Sequence, residues 1–279
     1  MSERIGFMQG RLSPLVGGRI QAFPWSCWAA EFPQAQAHDL RLMEWTLDQD
    51  NLYENPLLTA AGQAQIRSLC RQHGVSIPSL TGDCFMQAPF WKVAGAERAR
   101  LQQDFRAIAA GCAAVGIAIM VVPLVDAGRL ETNEERDALT EFLTAEAAAL
   151  RASGLRVAFE CDYAPAELAS FIDSLDPTVF AVNYDIGNSA GLGFDPATEL
   201  SAYGHRVANV HIKDRVLGGT TVPLGTGNAD FDTVFAALGR LNYRGNYILQ
   251  TARAADGDHA GALTRYRDMA VQWIRAHGA

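Results

Sequence analysis

Three acid or base side chains close three apolar runs in the second half of the chain. Glu160 ends RVAFE, Asp185 ends FAVNYD, and His211 falls in VANVHIKDR. Two carboxylates and an imidazole are donors that can hold one divalent cation, with Mn²⁺, Mg²⁺, Co²⁺ and Zn²⁺ all in range. Any one of them alone reads as a polar cap where a strand meets water. Their recurrence at the same place in successive runs points to one shared site. The run carrying His211 holds more. Side chains alternate along a strand, so Asn209, His211 and Lys213 share one side.

Residues this far apart in sequence need an architecture that gathers them. Eight short apolar runs recur: Arg4–Met8, Leu40–Leu47, Ser76–Leu80, Ile117–Leu124, Arg156–Phe159, Val179–Tyr184, Val207–Ile212 and Asn246–Leu249. Between them lie stretches of helical periodicity: Gly62–His73, Ala96–Val115, Asn133–Ala152, Pro165–Leu175, Pro196–Tyr203, Phe231–Leu241 and Ala260–Ala276. Thr132 precedes two glutamates as an N-cap does, and Pro165 and Pro196 sit where helices tolerate proline. Strand–helix alternation predicts parallel βαβ units. Eight units in 279 residues leave about 35 each, the length of a (β/α)₈ TIM barrel. The expectation is one α/β domain over residues 1–279. A doubly wound sheet would carry a glycine-rich phosphate turn after its first strand, and QGRLSP stands there instead. A barrel gathers the C-terminal ends of its strands on one face. Seven of the eight runs end in polar residues there, the exception being Ile117–Leu124.

Composition sets outer bounds. Basic residues number 23 and acidic ones 31, a net charge of −8 with no Lys/Arg run, which argues against nucleic acid or an anionic membrane as partner. Five scattered cysteines with no C-x-x-C pair fit reduced thiols. The start MSERIGFMQG has no signal-peptide core, and the longest apolar stretch is too short to span a bilayer. The expectation is a cytoplasmic protein; a homo-oligomer stays open.

The chain also resembles a known family over nearly its whole length, most specifically in its second half. VAFECD, VNYDIGNS, VHIKD, PLGTGNADF and YILQTAR are similar, in order and spacing, to the xylose-isomerase-like TIM barrels of the sugar (phosphate) isomerase/epimerase superfamily. The resemblance implies metal ligands at Glu160, Asp185 and His211, and a fourth on strand eight. That position is usually glutamate and here is Gln250. A glutamine can lend a weak carbonyl ligand but cannot take a proton near neutral pH. The family's two-glutamate epimerisation is therefore disfavoured. One-base chemistry stays open, with Glu160 as proton acceptor and Lys213 as acid or oxyanion stabiliser. Glu44, Asp83 and Asp214 are further candidates for a second group.

Other polar residues near strand ends are candidate substrate contacts: Gln9, Arg11, Glu44, Asp83, Asn188, Arg215 and Arg253. Gln21 and Trp25 lie in a long first loop that could cover the barrel mouth. Trp45, Phe85 and Trp91 could stack on a sugar face or simply pack. Gly225 and Gly227 could bring backbone amides to an anion. The expected activity is a metal-dependent isomerase or epimerase acting on a sugar, sugar phosphate or related keto-polyol. The alternatives are a lyase or dehydratase of a keto-sugar or keto-inositol, and a sugar-binding barrel without epimerase activity. Endonuclease-type chemistry is remote, since of six histidines only His211 ends a strand.

Overall fold

The computed structural model describes residues 2–279. Eight strands form a closed parallel barrel: β1 (Ile5–Met8), β2 (Leu42–Thr46), β3 (Ser76–Thr81), β4 (Ile119–Leu124), β5 (Arg156–Cys161), β6 (Phe180–Asp185), β7 (Val207–Ile212) and β8 (Asn246–Leu249). Neighbours in sequence are neighbours in the barrel, and β8 pairs with β1 to close it. Every expected run holds a strand, with ends moved by up to two residues.

Burial on both faces explains why these strands read as apolar runs rather than alternating ones. Phe180, Val182 and Tyr184 of β6, with Val157 and Phe159 of β5, belong to the large core shared with the surrounding helices. Ala158 and Ala181 belong to a small separate cluster with Val121 and Ala208, where short side chains fit the narrow barrel interior. Two residues further along β6 the same side turns polar, at Asn183 and then Asp185.

The seven expected helices all form, within two residues of their ends. Three more appear: Glu31–Ala37, Asp83–Gln87 and Ile186–Leu192. Each is too short for periodicity to reveal. The first also holds Pro33, which fits because it lies in the first turn. Between β7 and β8, Asp214–Arg215 pairs antiparallel with Thr221–Val222. So VHIKDR ends its strand at Ile212, and Asp214–Arg215 starts a ribbon over the barrel mouth rather than a solvated turn.

Candidate active site

β6 and β7 pair in register, with Asp185 opposite His211. β5 brings Glu160 beside them. The Nδ1 atom of His211 lies 3.2 Å from Glu160 Oε2 and 3.7 Å from Asp185 Oδ2. All three residues are buried, and one ligand atom from each falls within 4.8 Å of the others. Donors bound about 2.1 Å from one cation stand roughly 3 to 3.5 Å from each other. The donor set and its spacing therefore fit a divalent ion.

The orientation of His211 is held from behind. Its Nε2 is 2.7 Å from Glu44 Oε1. Glu44 is wholly buried at β2, and its other oxygen accepts from Ser79 Oγ and Asn209 Nδ2 at 2.6 and 2.8 Å. With Nε2–H donated to Glu44, Nδ1 is the atom left to face the carboxylates, the arrangement seen behind metal-bound histidines. Burial works against a charged imidazole, but Glu44, Asp185 and Glu160 outweigh it and push the His211 pKa well above its ordinary value. A cation entering the cluster would displace that proton.

Asp185 is shared. Its Oδ1 caps the helix Ile186–Leu192 by accepting from Asn188 N at 2.8 Å. That cap turns Asn188 so that its Nδ2 donates to Glu160 Oε1 at 2.6 Å. Asn183 donates to Glu160 Oε2 at 2.9 Å. Asp185 Oδ2 lies 2.7 Å from Lys213 Nζ. Burial disfavours ionised Asp185, yet Lys213 and His211 more than compensate and hold it at about 2. Gly187 is required here by space. A Cβ at that position would come within 2.6 Å of Lys213 Cγ and 2.9 Å of the Lys213 backbone. This glycine lets the Lys213 chain pass against the helix.

Lys213 also donates to Gln250 Oε1 at 2.9 Å, and Gln250 Nε2 donates to Gln21 Oε1 at 3.0 Å. Gln21 Nε2 donates to Asp83 Oδ2 at 2.7 Å. A hydrogen-bonded chain therefore crosses the barrel mouth from Asp185 to Asp83. Gln250 Oε1, the atom assigned above as a weak fourth ligand, is engaged by Lys213.

A pocket of about 500 Å³ opens over this chain. Arg11, Asp83, Glu160, Asn188, Lys213, Arg215 and Gln250 all line it. The other candidates lie elsewhere. Gln9 is fully buried and accepts from Thr46 N at 3.1 Å. Glu44 stands behind His211. Arg253 is turned to the first loop, where it donates to Gly10 O and to Ser13 O. Arg11 lines the pocket while donating to Ile20 O at 2.8 Å and Thr251 O at 3.0 Å. Arg215 donates to Asn188 Oδ1 at 2.9 Å and to Gly219 O, so it does not pair with Asp214.

The structure decides between the readings left open for the aromatic residues and the glycine loop. Trp45 and Trp91 are core residues bonded to Asn55 Oδ1 and Gly128 O, and the apolar pocket wall comes from Met86, Pro123 and Val125 instead. The anion met by the glycine-loop amides is Asp214. Its carboxylate accepts from Gly225 N, Gly227 N and Ala229 N at 2.9, 2.9 and 3.1 Å. It is fully buried and organises the loop rather than facing substrate. A Cβ on Gly227 would come 2.3 Å from Asp214 Oδ1, so only glycine fits. Asn183 was missed, although strand alternation two residues before Asp185 marks it. The buried Glu199 was missed too. It accepts from Tyr184, Ser189 and Tyr203 behind the short helix, and no local pattern announces it.

Comparison with known proteins shows the family and the fold. The chain is similar to L-ribulose-5-phosphate 3-epimerase UlaE of Salmonella paratyphi C (strain RKS4594), 25% identical over 265 residues that span 91% of this chain and 90% of that protein. Among solved structures it is similar to D-allulose 3-epimerase from Methylomonas sp., with a TM-score of 0.74 at 16% identity over 97% of each chain. It is also similar to the IolI protein with a binding zinc atom, with a TM-score of 0.74 at 13% identity over 98% of this chain and 99% of that one. The sequence model of one family matches residues 32–276, from the helix before β2 to the end of the last helix. The chain belongs to the xylose isomerase-like TIM barrels.

Proposed function

We propose that this protein is a metal-dependent sugar isomerase or epimerase acting on a keto-sugar or its phosphate. One observation carries the reading: Glu160, Asp185 and His211 converge at a polar pocket with His211 oriented by Glu44. The named relatives act on such compounds, as a ribulose-phosphate 3-epimerase and an allulose 3-epimerase. Glu160, Asp185 and His211 would hold the ion, whose charge beside a carbonyl oxygen makes the neighbouring C–H more acidic.

The protein's own groups supply the rest. Glu160 is the acid residue of the cluster that also faces the pocket, so it accepts the proton from the carbon next to the carbonyl. Asn183 and Asn188 hold both of its oxygens in place. Lys213 donates from Nζ to the oxygen on which negative charge develops. Asp185 and Gln250 fix that ammonium in position before substrate arrives.

The test is elemental analysis of the purified protein, followed by incubation in D₂O with L-ribulose 5-phosphate, D-psicose and D-fructose. One equivalent of a divalent metal and deuterium at the carbon next to the carbonyl are expected. Metal-free protein, or no exchange with any probe, would sink the reading. Elimination is the second reading, favoured by a buried ammonium beside a carboxylate base. It predicts loss of water from the substrate by mass spectrometry instead of an isomer.

A further inference from the structure

An epimerase needs a proton donor or acceptor on each of two sides of the reacting carbon. Glu160 serves one side. Gln250, which stands where a second carboxylate would be expected, cannot exchange a proton near neutral pH. Three acids line the pocket: Asp83, Asp126 and Glu160. Asp126 is exposed at the rim. Asp83 is the other buried one.

The placement of Asp83 does not come from capping a helix. It opens the helix Asp83–Gln87, but the N-cap is Gly82 and no side chain caps that helix. Its Oδ2 accepts from Gln21 Nε2 at 2.7 Å, and Gln21 Oε1 accepts from Gln250 Nε2 at 3.0 Å. Asp83 thus stands one side chain away from Gln250, on a wall built after β3, while Glu160 comes from β5.

We infer that Asp83 is the second proton-transfer group of this site and takes the place of the carboxylate absent at position 250. The inference rests on the isomerase or epimerase reading above. Burial pushes the Asp83 carboxyl up to about 7; Asp48 and Glu160 add to the rise, while the Gln21 hydrogen bond and Arg11 oppose it. A group so poised holds or releases a proton near neutral pH. In the forward direction the Glu160 carboxylate takes the substrate proton, and the C–H electron pair moves into the enediolate. Protonated Asp83 then gives its proton to the same carbon from its own side. The enediolate electron pair becomes the new C–H bond, and Asp83 is left as carboxylate. Water entering the open pocket removes the proton from Glu160 and returns one to Asp83, so the enzyme is restored.

The experiment compares wild type, Asp83→Asn and the double variant Asp83→Asn/Gln250→Glu in D₂O. The probes are L-ribulose 5-phosphate, D-psicose and D-fructose, with circular dichroism and metal content as controls. Asp83→Asn should keep deuterium exchange with retained configuration, because Glu160 still removes and returns a proton on one side. Its epimer formation should fall by about 100-fold or more. The double variant should regain at least roughly tenfold of that loss, a small part of the general acid–base contribution. Epimer formation at the wild-type rate in Asp83→Asn overturns the assignment. So does parallel loss of exchange and product in a folded, metal-loaded protein, or a folded double variant with no recovery. A wild type inert toward all three probes removes the underlying reading, and this assignment with it.

Discussion

At the scale of residues, the site separates groups by what holds them. Glu160 and Lys213 reach the pocket, whereas Glu44 and His211 are wholly buried. Lys213 is the group whose role is easiest to isolate. Its Nζ touches Asp185 Oδ2 and Gln250 Oε1, and it is not itself one of the three candidate metal donors. Lys213→Met should retain bound metal and lose turnover by roughly a hundredfold, the usual cost of one oxyanion donor. Wild-type turnover in that variant would reduce Lys213 to a rim charge. Glu44 acts through His211. Glu44→Gln should weaken metal affinity by about 10- to 100-fold, as losses behind a metal-bound histidine do. Isothermal titration with Mn²⁺ reads this directly, and unchanged affinity would contradict the orienting role.

At the scale of elements, two loops shape the mouth, and buried carboxylates tie each of them down. Asp214 gathers three amides of the loop that follows β7, which also brings Arg215 and Thr221 to the pocket wall. Asp214→Ala leaves those amides unpaired, at a cost on the order of 3 kcal/mol. Urea unfolding should show that loss, and limited proteolysis should cut between residues 216 and 229. Equal stability and equal protease resistance would show that the loop holds itself. Glu31 does the same for the first loop by accepting from Gly10 N and Leu12 N at 2.8 and 3.0 Å. Burial raises its pKa from 4.5 to about 7, against those hydrogen bonds and Arg253. A raised folded-state pKa means that folding takes up a proton. Its stabilising contribution is full below 4.5 and fades as pH climbs to about 7. From pH 5 to 8 the wild type should lose up to about 3 kcal/mol relative to Glu31→Gln. Parallel pH profiles in urea melts would refute this.

For the whole molecule, the three candidate metal donors come from three strands of one closed sheet, so an ion bound by them would tie β5, β6 and β7 together. The unfolded chain keeps no such cluster. Metal at a hundredfold excess over its Kd should therefore add about 2.7 kcal/mol to stability. For a domain of 279 residues that raises the melting temperature by roughly 5 °C. His211→Ala should remove the shift and the bound metal together. A His211→Ala protein that still binds one equivalent would place the site elsewhere. Among the described residues no helix is long and apolar enough to cross a membrane.

The amino-acid sequence by itself determined the repeating unit and the ends of its strands. Apolar runs, cap residues and helical periodicity are local signals, so eight strands and seven helices were legible within a residue or two, and Glu160, Asp185 and His211 could be placed at strand ends. What those side chains meet was decided only by closing the barrel. Glu44 lies 167 positions from His211 and touches it because β2 and β7 face each other across the interior. Asp83 reaches Gln250 only through a loop glutamine. For Trp45 and Trp91 stacking and packing both stayed open, because composition cannot tell a core aromatic from an exposed one, and both pack in the core. Asp214 looked like a base because the amides that claim it come from 11 to 15 residues further on. Contacts of that kind depend on strand register and loop path, which no local pattern encodes, and they separate the residues that face substrate from those that only hold the site in shape.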